Sequence, residues 1–339
     1  MIIKKEPFGQ TGGRDVNLFT MESDNIRVEV VELAALVRAI YVKGTDGIER
    51  NVVLGMSTLE GYERQNYFLG AVIRRHAKRI EGGEVVLQGV KYDLEKNDGD
   101  NNLHSGKDGF HNRVFTGSVV GGKLRFTYSS PDMEQSFPGN MDVAVTYSIT
   151  PENGLLIEYQ AVSDRDTVCN LTNHSYFNLE GEGKIMDHEL TLAADFYTPL
   201  TSGGVPDGEI LSVTGTPFDF TAARRIGLSI EAGESPVENG YDHNFVLRET
   251  SGGPCALVCA PVSGIRMEVY TDMPGVQFYS GNFLVDYVFP NGKEGGKRSA
   301  LCLETQFFPN AFKYPHFVKP VLRSGEIWRS YTEYRFSLS

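Results

Sequence analysis

The sequence predicts an all-β protein, a sandwich or barrel of strands with a few short helices. Three observations point there: apolar residues alternating with polar ones, turn-forming clusters at short intervals, and little helical periodicity. The clearest alternation is Met141, Val143, Val145, Tyr147 and Ile149, which fall on one face of an extended chain. The cluster Pro151-Glu152-Asn153-Gly154 follows, and 155–162 reads as the returning strand of a hairpin. Similar patterns place strands at 26–31, 36–42, 84–92, 124–129, 189–196, 265–271 and 328–336. Turn signals punctuate them at 45–47, 81–83, 121–122, 203–204 and 290–292. A short helix is expected over 57–67, with Ser57 as N-cap and Glu60 in the capping-box position, and another turn or two over 221–226. Strands without long intervening helices exclude a parallel α/β sheet. No linker, repeat or low-complexity tract interrupts the pattern, so 1–339 reads as a single domain.

A chain of 339 residues can bury a sizeable core without a disulfide or metal staple. Its formal net charge of −12 argues against nucleic acid as the main partner, because a phosphate backbone needs clustered Lys and Arg. A neutral small molecule is compatible with that charge. Residues 1–20 carry charges and glycines and no secretory-type apolar run. Nowhere do about 18 apolar residues run together, so no membrane partner is expected. Cys169, Cys255, Cys259 and Cys302 show no CxxC spacing and read as reduced thiols of a cytoplasmic protein.

Three of the seven histidines, His104, His174 and His243, sit among small polar residues in loop-like surroundings. Imidazole suits proton transfer near neutral pH, although for any one of them taken alone a surface or hydrogen-bonded structural role is the better reading. No HxH or HExxH spacing occurs, and no metal is expected. Glu304 interrupts the apolar run Ala300-Leu301-Cys302-Leu303-Glu304. There it is either an outward strand residue or a desolvated carboxyl with a raised pKa and the makings of a base. Asp242 can be an Asx-turn residue. Arg75 and Arg79 lie in a basic stretch, 74–79, whose plain reading is a solvated face.

Taken together, several segments carry a resemblance. They are 70–80 (Gly-Ala-Val-Ile-Arg-Arg-His-Ala-Lys-Arg-Ile), 102–106 (Asn-Leu-His-Ser-Gly) with Gly109-Phe110, and 170–179 (Asn-Leu-Thr-Asn-His-Ser-Tyr-Phe-Asn-Leu). With 240–245, 274–282 and 303–306 they resemble, in order and spacing, the motifs of the aldose 1-epimerase (galactose mutarotase) family. The resemblance covers nearly the whole chain. It implies a large antiparallel β-sandwich with the site in a concave face, and exchange of sugar anomers without a cofactor. By position it implies that His174 is the general acid, Glu304 the general base, and His104 a second histidine near the ring oxygen. It also implies that Arg79, Asp242 and Gln277 bind sugar hydroxyls, with Tyr176 beside the acid. Lys78 stands where the family usually has Asn, and Arg74 where it usually has Gly. Lys can only donate and adds charge, which alters one wall of the pocket.

The reaction expected is ring opening. A base takes the C1 hydroxyl proton, an acid protonates the ring oxygen, C1–C2 rotates, and the roles reverse on closure. The base and acid are pictured on opposite sides of the ring, with Tyr176 or Phe308 packing on its apolar face. Arg74 and Lys78 keep a second substrate class open, an anionic sugar such as a hexose 6-phosphate. A third reading is a non-catalytic sugar-binding protein of the same fold. The partner expected is a small-molecule aldose, and the assembly a monomer or homodimer.

Overall fold

The computed structural model describes every residue except Met1, Arg74, Asp286, Pro290 and Asn291, and the side chain of Phe110 is likewise left undescribed. Among the described residues every paired strand is antiparallel, apart from one isolated parallel bridge between His76 and Asn170. A five-stranded sheet is built in chain order from Ile2–Thr11 to Glu49–Asn51. A nine-stranded sheet runs from Thr116–Val120 through Met141–Ile149, Gly154–Ser163 and Ile327–Leu338 to Arg224–Arg225. A second five-stranded sheet ends on Asp242–Leu247, Gly275–Tyr279 and Cys302–Gln306. No helix among the described residues is long and apolar enough to cross a membrane.

One continuous apolar cluster joins the three sheets. Phe19 and Val28 come from the first, Phe126, Val145 and Leu155 from the second, Phe245 and Phe278 from the third. Phe19 meets Phe126 edge-on with ring centroids 5.5 Å apart, and the Tyr147 hydroxyl donates across the interface to the Ala35 carbonyl at 2.6 Å. The alternation in 141–149 is realised: Met141, Val143, Val145 and Tyr147 are buried while Asp142 is exposed.

Several expected boundaries shift. Segment 84–92 is a hairpin, Glu84–Leu87 with Val90–Asp93, because Gln88 and Gly89 both adopt positive φ in a two-residue turn. Segment 189–196 divides at Ala193: Glu189–Leu192 joins the nine-stranded sheet and Ala194–Thr198 the second five-stranded sheet. The first helix is Leu59–Arg64, capped by Thr58 rather than Ser57, with the Thr58 hydroxyl accepting from Gly61 N at 3.2 Å. No helix forms over 221–226. Arg224–Arg225 instead pairs with Glu189 and Leu190 at the sheet edge, and the helix comes afterwards, at Gly227–Glu231. The turn at 290–292 lies largely outside the described residues.

Candidate active site

Strand register builds the floor of the site. Asp242 faces Tyr279, which faces Cys302; one row on, Asn244 faces Gln277, which faces Glu304. Strand alternation therefore puts Asp242, Gln277, Cys302 and Glu304 on one face of the sheet. Intervening residues such as Phe245, Phe278 and Leu303 point into the core. The backbone approach at Gly275 is close: a Cβ there would meet Asn244 Oδ1 at 2.6 Å and the Phe308 ring at 3.0 Å.

The walls come from short ladders. Val72–Ile73 pairs with Thr172–Asn173, and His174 follows directly, its N–H donating to the Ala71 carbonyl at 2.9 Å. Arg79–Ile80 pairs with Asn102–Leu103, which places Lys78 beside His104. Both hold left-handed φ, 64° and 50°. They sustain that strained backbone reciprocally: Lys78 N donates to His104 Nδ1 at 3.2 Å and His104 N to the Lys78 carbonyl at 3.3 Å.

His174 Nε2 lies 3.7 Å from Glu304 Oε1, and both side chains are buried. Among the described residues, neither Glu304 oxygen has a hydrogen-bond partner. The His174 ring stacks on Tyr176, centroids 5.0 Å apart, and meets His104 edge-on at 5.4 Å. The Asp242 carboxylate gathers the polar wall. Its Oδ1 accepts from Lys78 Nζ at 2.6 Å and from Gln277 Nε2 at 2.9 Å, while Arg79 Nη1 lies 3.7 Å from Oδ2. Arg79 also donates through Nε to Asp98 at 2.6 Å.

Burial governs protonation here. It pushes the Glu304 carboxyl up to about 7, with Lys78 and Arg79 pulling it back and Asp242 adding to the rise. It lowers His174 to about 3, helped by Lys78, and holds His104 well below its ordinary value, helped by His174 and Lys78. Burial acts upward on Asp242 too, but Lys78 and Arg79 outweigh it and leave that carboxyl at about 2, ionised. Neutral His104 accepts at Nδ1, so its proton sits on Nε2 as a fixed donor. One ligand atom each from His104, His174 and Glu304 lies within 4.8 Å of the others. A metal suits that set poorly, because the protonated Nε2 of His104 offers it no lone pair.

The site residues read from the sequence converge: His104, His174, Glu304, Lys78, Arg79, Asp242, Gln277 and Tyr176 form one cluster. Several details differ from expectation. The two groups expected as acid and base, His174 and Glu304, are neighbours at 3.7 Å, too close to bracket a sugar ring. Tyr176 spends a ring face on His174. His243 belongs to a strand and turns away, packing on Phe218 at 4.6 Å. The described part of segment 74–79, residues 75–79, is no solvated face: Arg75 is fully buried, donating to the carbonyls of Pro138 and Gly139 and to Thr167 and Ser130. Arg74 lies outside the described residues. Sequence reading did not single out Asp98, the partner of Arg79. It also took Cys302 for a plain buried thiol, although its place two residues before Glu304 puts it on the same strand face.

Residues 17–335 match the sequence model of the aldose 1-epimerase family. The chain is 40% identical over 334 residues to galactose mutarotase from Bos taurus, covering 97% of this chain and 96% of that one. It is 34% identical to aldose 1-epimerase from Escherichia coli K12, covering 99% of both. Among solved structures, galactose 1-epimerase from Lactobacillus acidophilus NCFM superposes with a TM-score of 0.89 at 28% identity, covering 100% of this chain and 99% of that one. With an antiparallel sandwich, a buried His–Glu pair and a family match that spans nearly its whole length, this chain belongs to the aldose 1-epimerase family.

Proposed function

We propose that this protein is a mutarotase that interconverts the α and β anomers of a free aldose such as galactose or glucose, with Glu304 as base and His174 as acid. The observation that carries the reading is the 3.7 Å approach of His174 Nε2 to a Glu304 carboxyl that has no hydrogen-bond partner among the described residues. The C1 hydroxyl and the ring oxygen are bonded to the same carbon. Groups that serve them both must therefore sit side by side, as these do.

Glu304 takes the O1 proton as His174 gives its Nε2 proton to the ring oxygen, and the C1–ring-oxygen bond opens to the aldehyde. After rotation about C1–C2 the same two protons return. The pair needs one proton between them, with that proton on His174. In the empty pocket burial disfavours the charged arrangement, so the shared proton rests on Glu304; bound sugar oxygens favour its transfer. His104 Nε2–H and Arg79 donate to sugar oxygens, Asp242 and Gln277 accept or donate at hydroxyls, and Tyr176 braces the acid. His174→Ala is expected to lower kcat roughly 10²–10⁴-fold, followed by polarimetry on fresh α-anomer. kcat/KM should fall on the alkaline side as the pair loses its shared proton near pH 7, the value to which burial lifts Glu304. A folded His174→Ala at wild-type rate, or a flat profile from about pH 5 to pH 9, counts against this assignment. Binding of sugar with no acceleration would favour the non-catalytic reading.

Charge balance supports a neutral sugar. Lys78 is matched by Asp242 and Arg79 by Asp98 and Asp242, so a phosphate would have to break an existing buried pair. kcat/KM for glucose 6-phosphate is expected to be at least roughly tenfold below that for glucose, one broken pair being worth that much or more. Equal or faster turnover of the phosphate would reverse the preference.

The apolar cluster shared by all three sheets supports reading 1–339 as one domain. Four free cysteines, three of them buried, fit a reducing, cytoplasmic setting. We take the assembly to be a monomer or homodimer.

A further inference from the structure

The second nitrogen of the acid has a partner that no role yet described uses. Cys302 Sγ lies 3.6 Å from His174 Nδ1, within reach of an N–H···S hydrogen bond, and both groups are buried. Cys302 and Glu304 are alternate residues of the strand Cys302–Gln306. One strand thus addresses both nitrogens of a single imidazole, Nδ1 through Cys302 and Nε2 through Glu304. Tyr176 stacked on the ring limits its rotation away from this alignment.

We propose that Cys302 is a positioning residue whose sulfur accepts the Nδ1–H of His174, so that the proton exchanged with the sugar is always the one on Nε2. This rests on His174 being the acid. The chemistry favours a thiol at this place. An imidazolium that has given up its Nε2 proton is left as the Nδ1–H tautomer, which needs an acceptor at Nδ1. A carboxylate would serve, but it would bind the imidazolium strongly and make it a poor acid. A neutral sulfur is a weak acceptor that fixes the tautomer and leaves the acid strong. Burial, with Glu304 adding to it, raises the Cys302 thiol well above its ordinary value and keeps it uncharged. The titratable groups that face His174 are Glu304 and Cys302 from one strand, Tyr176 and His104 from the walls, and Lys78 and Asp242 at longer range.

The test compares Cys302→Ala and Cys302→Ser with the wild type, by steady-state polarimetry and by nitrogen-15 NMR of the His174 ring. Cys302→Ala is expected to lower kcat roughly three- to tenfold, the scale of one neutral hydrogen bond, with KM little changed. Its His174 spectrum should show a mixture of tautomers. Cys302→Ser retains an acceptor, so it should recover most of kcat and a single Nδ1–H tautomer. Thermal unfolding of both variants separates this from a packing defect, since loss of packing alone would leave the tautomer unmoved. The inference is overturned if wild-type His174 carries its neutral-form proton on Nε2, or if Cys302→Ala keeps wild-type kcat and the wild-type tautomer. Full activity in His174→Ala would instead remove the acid assignment itself, a distinct outcome.

Discussion

Glu304→Gln is expected to abolish most catalysis and at the same time make the protein more stable above neutral pH. The loss in kcat should be roughly 10²–10⁴-fold, because an amide cannot accept the C1 hydroxyl proton. The gain follows from linkage. Burial lifts the folded-state pKa of Glu304 from 4.5 to about 7. A group raised in the folded state contributes its full stability below the unfolded value and loses it as pH rises through the folded one. Wild-type protein therefore bears the cost of an ionised, unpartnered carboxylate above pH 7, on the order of 3 kcal/mol for a shift of this size. Glutamine avoids that cost. Urea unfolding of both proteins should show little difference near pH 4 and a widening advantage for the variant between about pH 4.5 and pH 7. A variant that is inactive but no more stable at pH 8 would mean that Glu304 is solvated or paired in solution.

Asp242→Asn should be among the most destabilising substitutions in the site and should also weaken sugar binding. Asp242 holds the buried ammonium of Lys78 at 2.6 Å and faces Arg79 at 3.7 Å. Neutralising it leaves the Lys78 ammonium without its counter-charge, while Arg79 keeps only Asp98. Breaking a buried pair from one side costs roughly 3–5 kcal/mol, a large share of a typical domain's stability. Lys78→Met in the same chain removes the stranded charge, so the double variant should recover much of the loss; the double-mutant cycle measures the coupling. The pH dependence runs opposite to that of Glu304. The Asp242 carboxyl is lowered from 3.8 to about 2, so its contribution is present above pH 3.8 and lost as pH falls toward 2. A single variant as stable as wild type, with unchanged KM, would show that Lys78 swings out to solvent and that the ion pair is dispensable.

Much of this architecture was legible along the chain because strand periodicity is local. Alternation predicted the strands at 141–149 and 265–271, and at 141–149 also the buried face. It could not show that 189–196 changes sheets at Ala193, or that Arg224 and Arg225 complete a sheet edge. Those outcomes depend on which distant strand offers a free edge. The short helix was legible in place, but it covers only Leu59–Arg64 of the expected 57–67, and its cap moved by one residue, since Ser57 and Thr58 are chemically near-equivalent there.

The site divides in the same way. Sequence by itself determined which residue types are present and in what order: an imidazole at 174, a carboxyl at 304, a second imidazole at 104, and Lys78 in place of a neutral amide. Sequence alone left open whether Glu304 was a surface residue and segment 74–79 a solvated face. Tertiary structure decided both. Pairing of Gly275–Tyr279 with Cys302–Gln306 buries Glu304 against His174, and the ladder at Arg79–Ile80 turns Lys78 inward onto Asp242. Protonation, charge balance and the partner of each imidazole nitrogen all follow from burial and distance. These are properties of the fold as a whole, which no window of sequence contains.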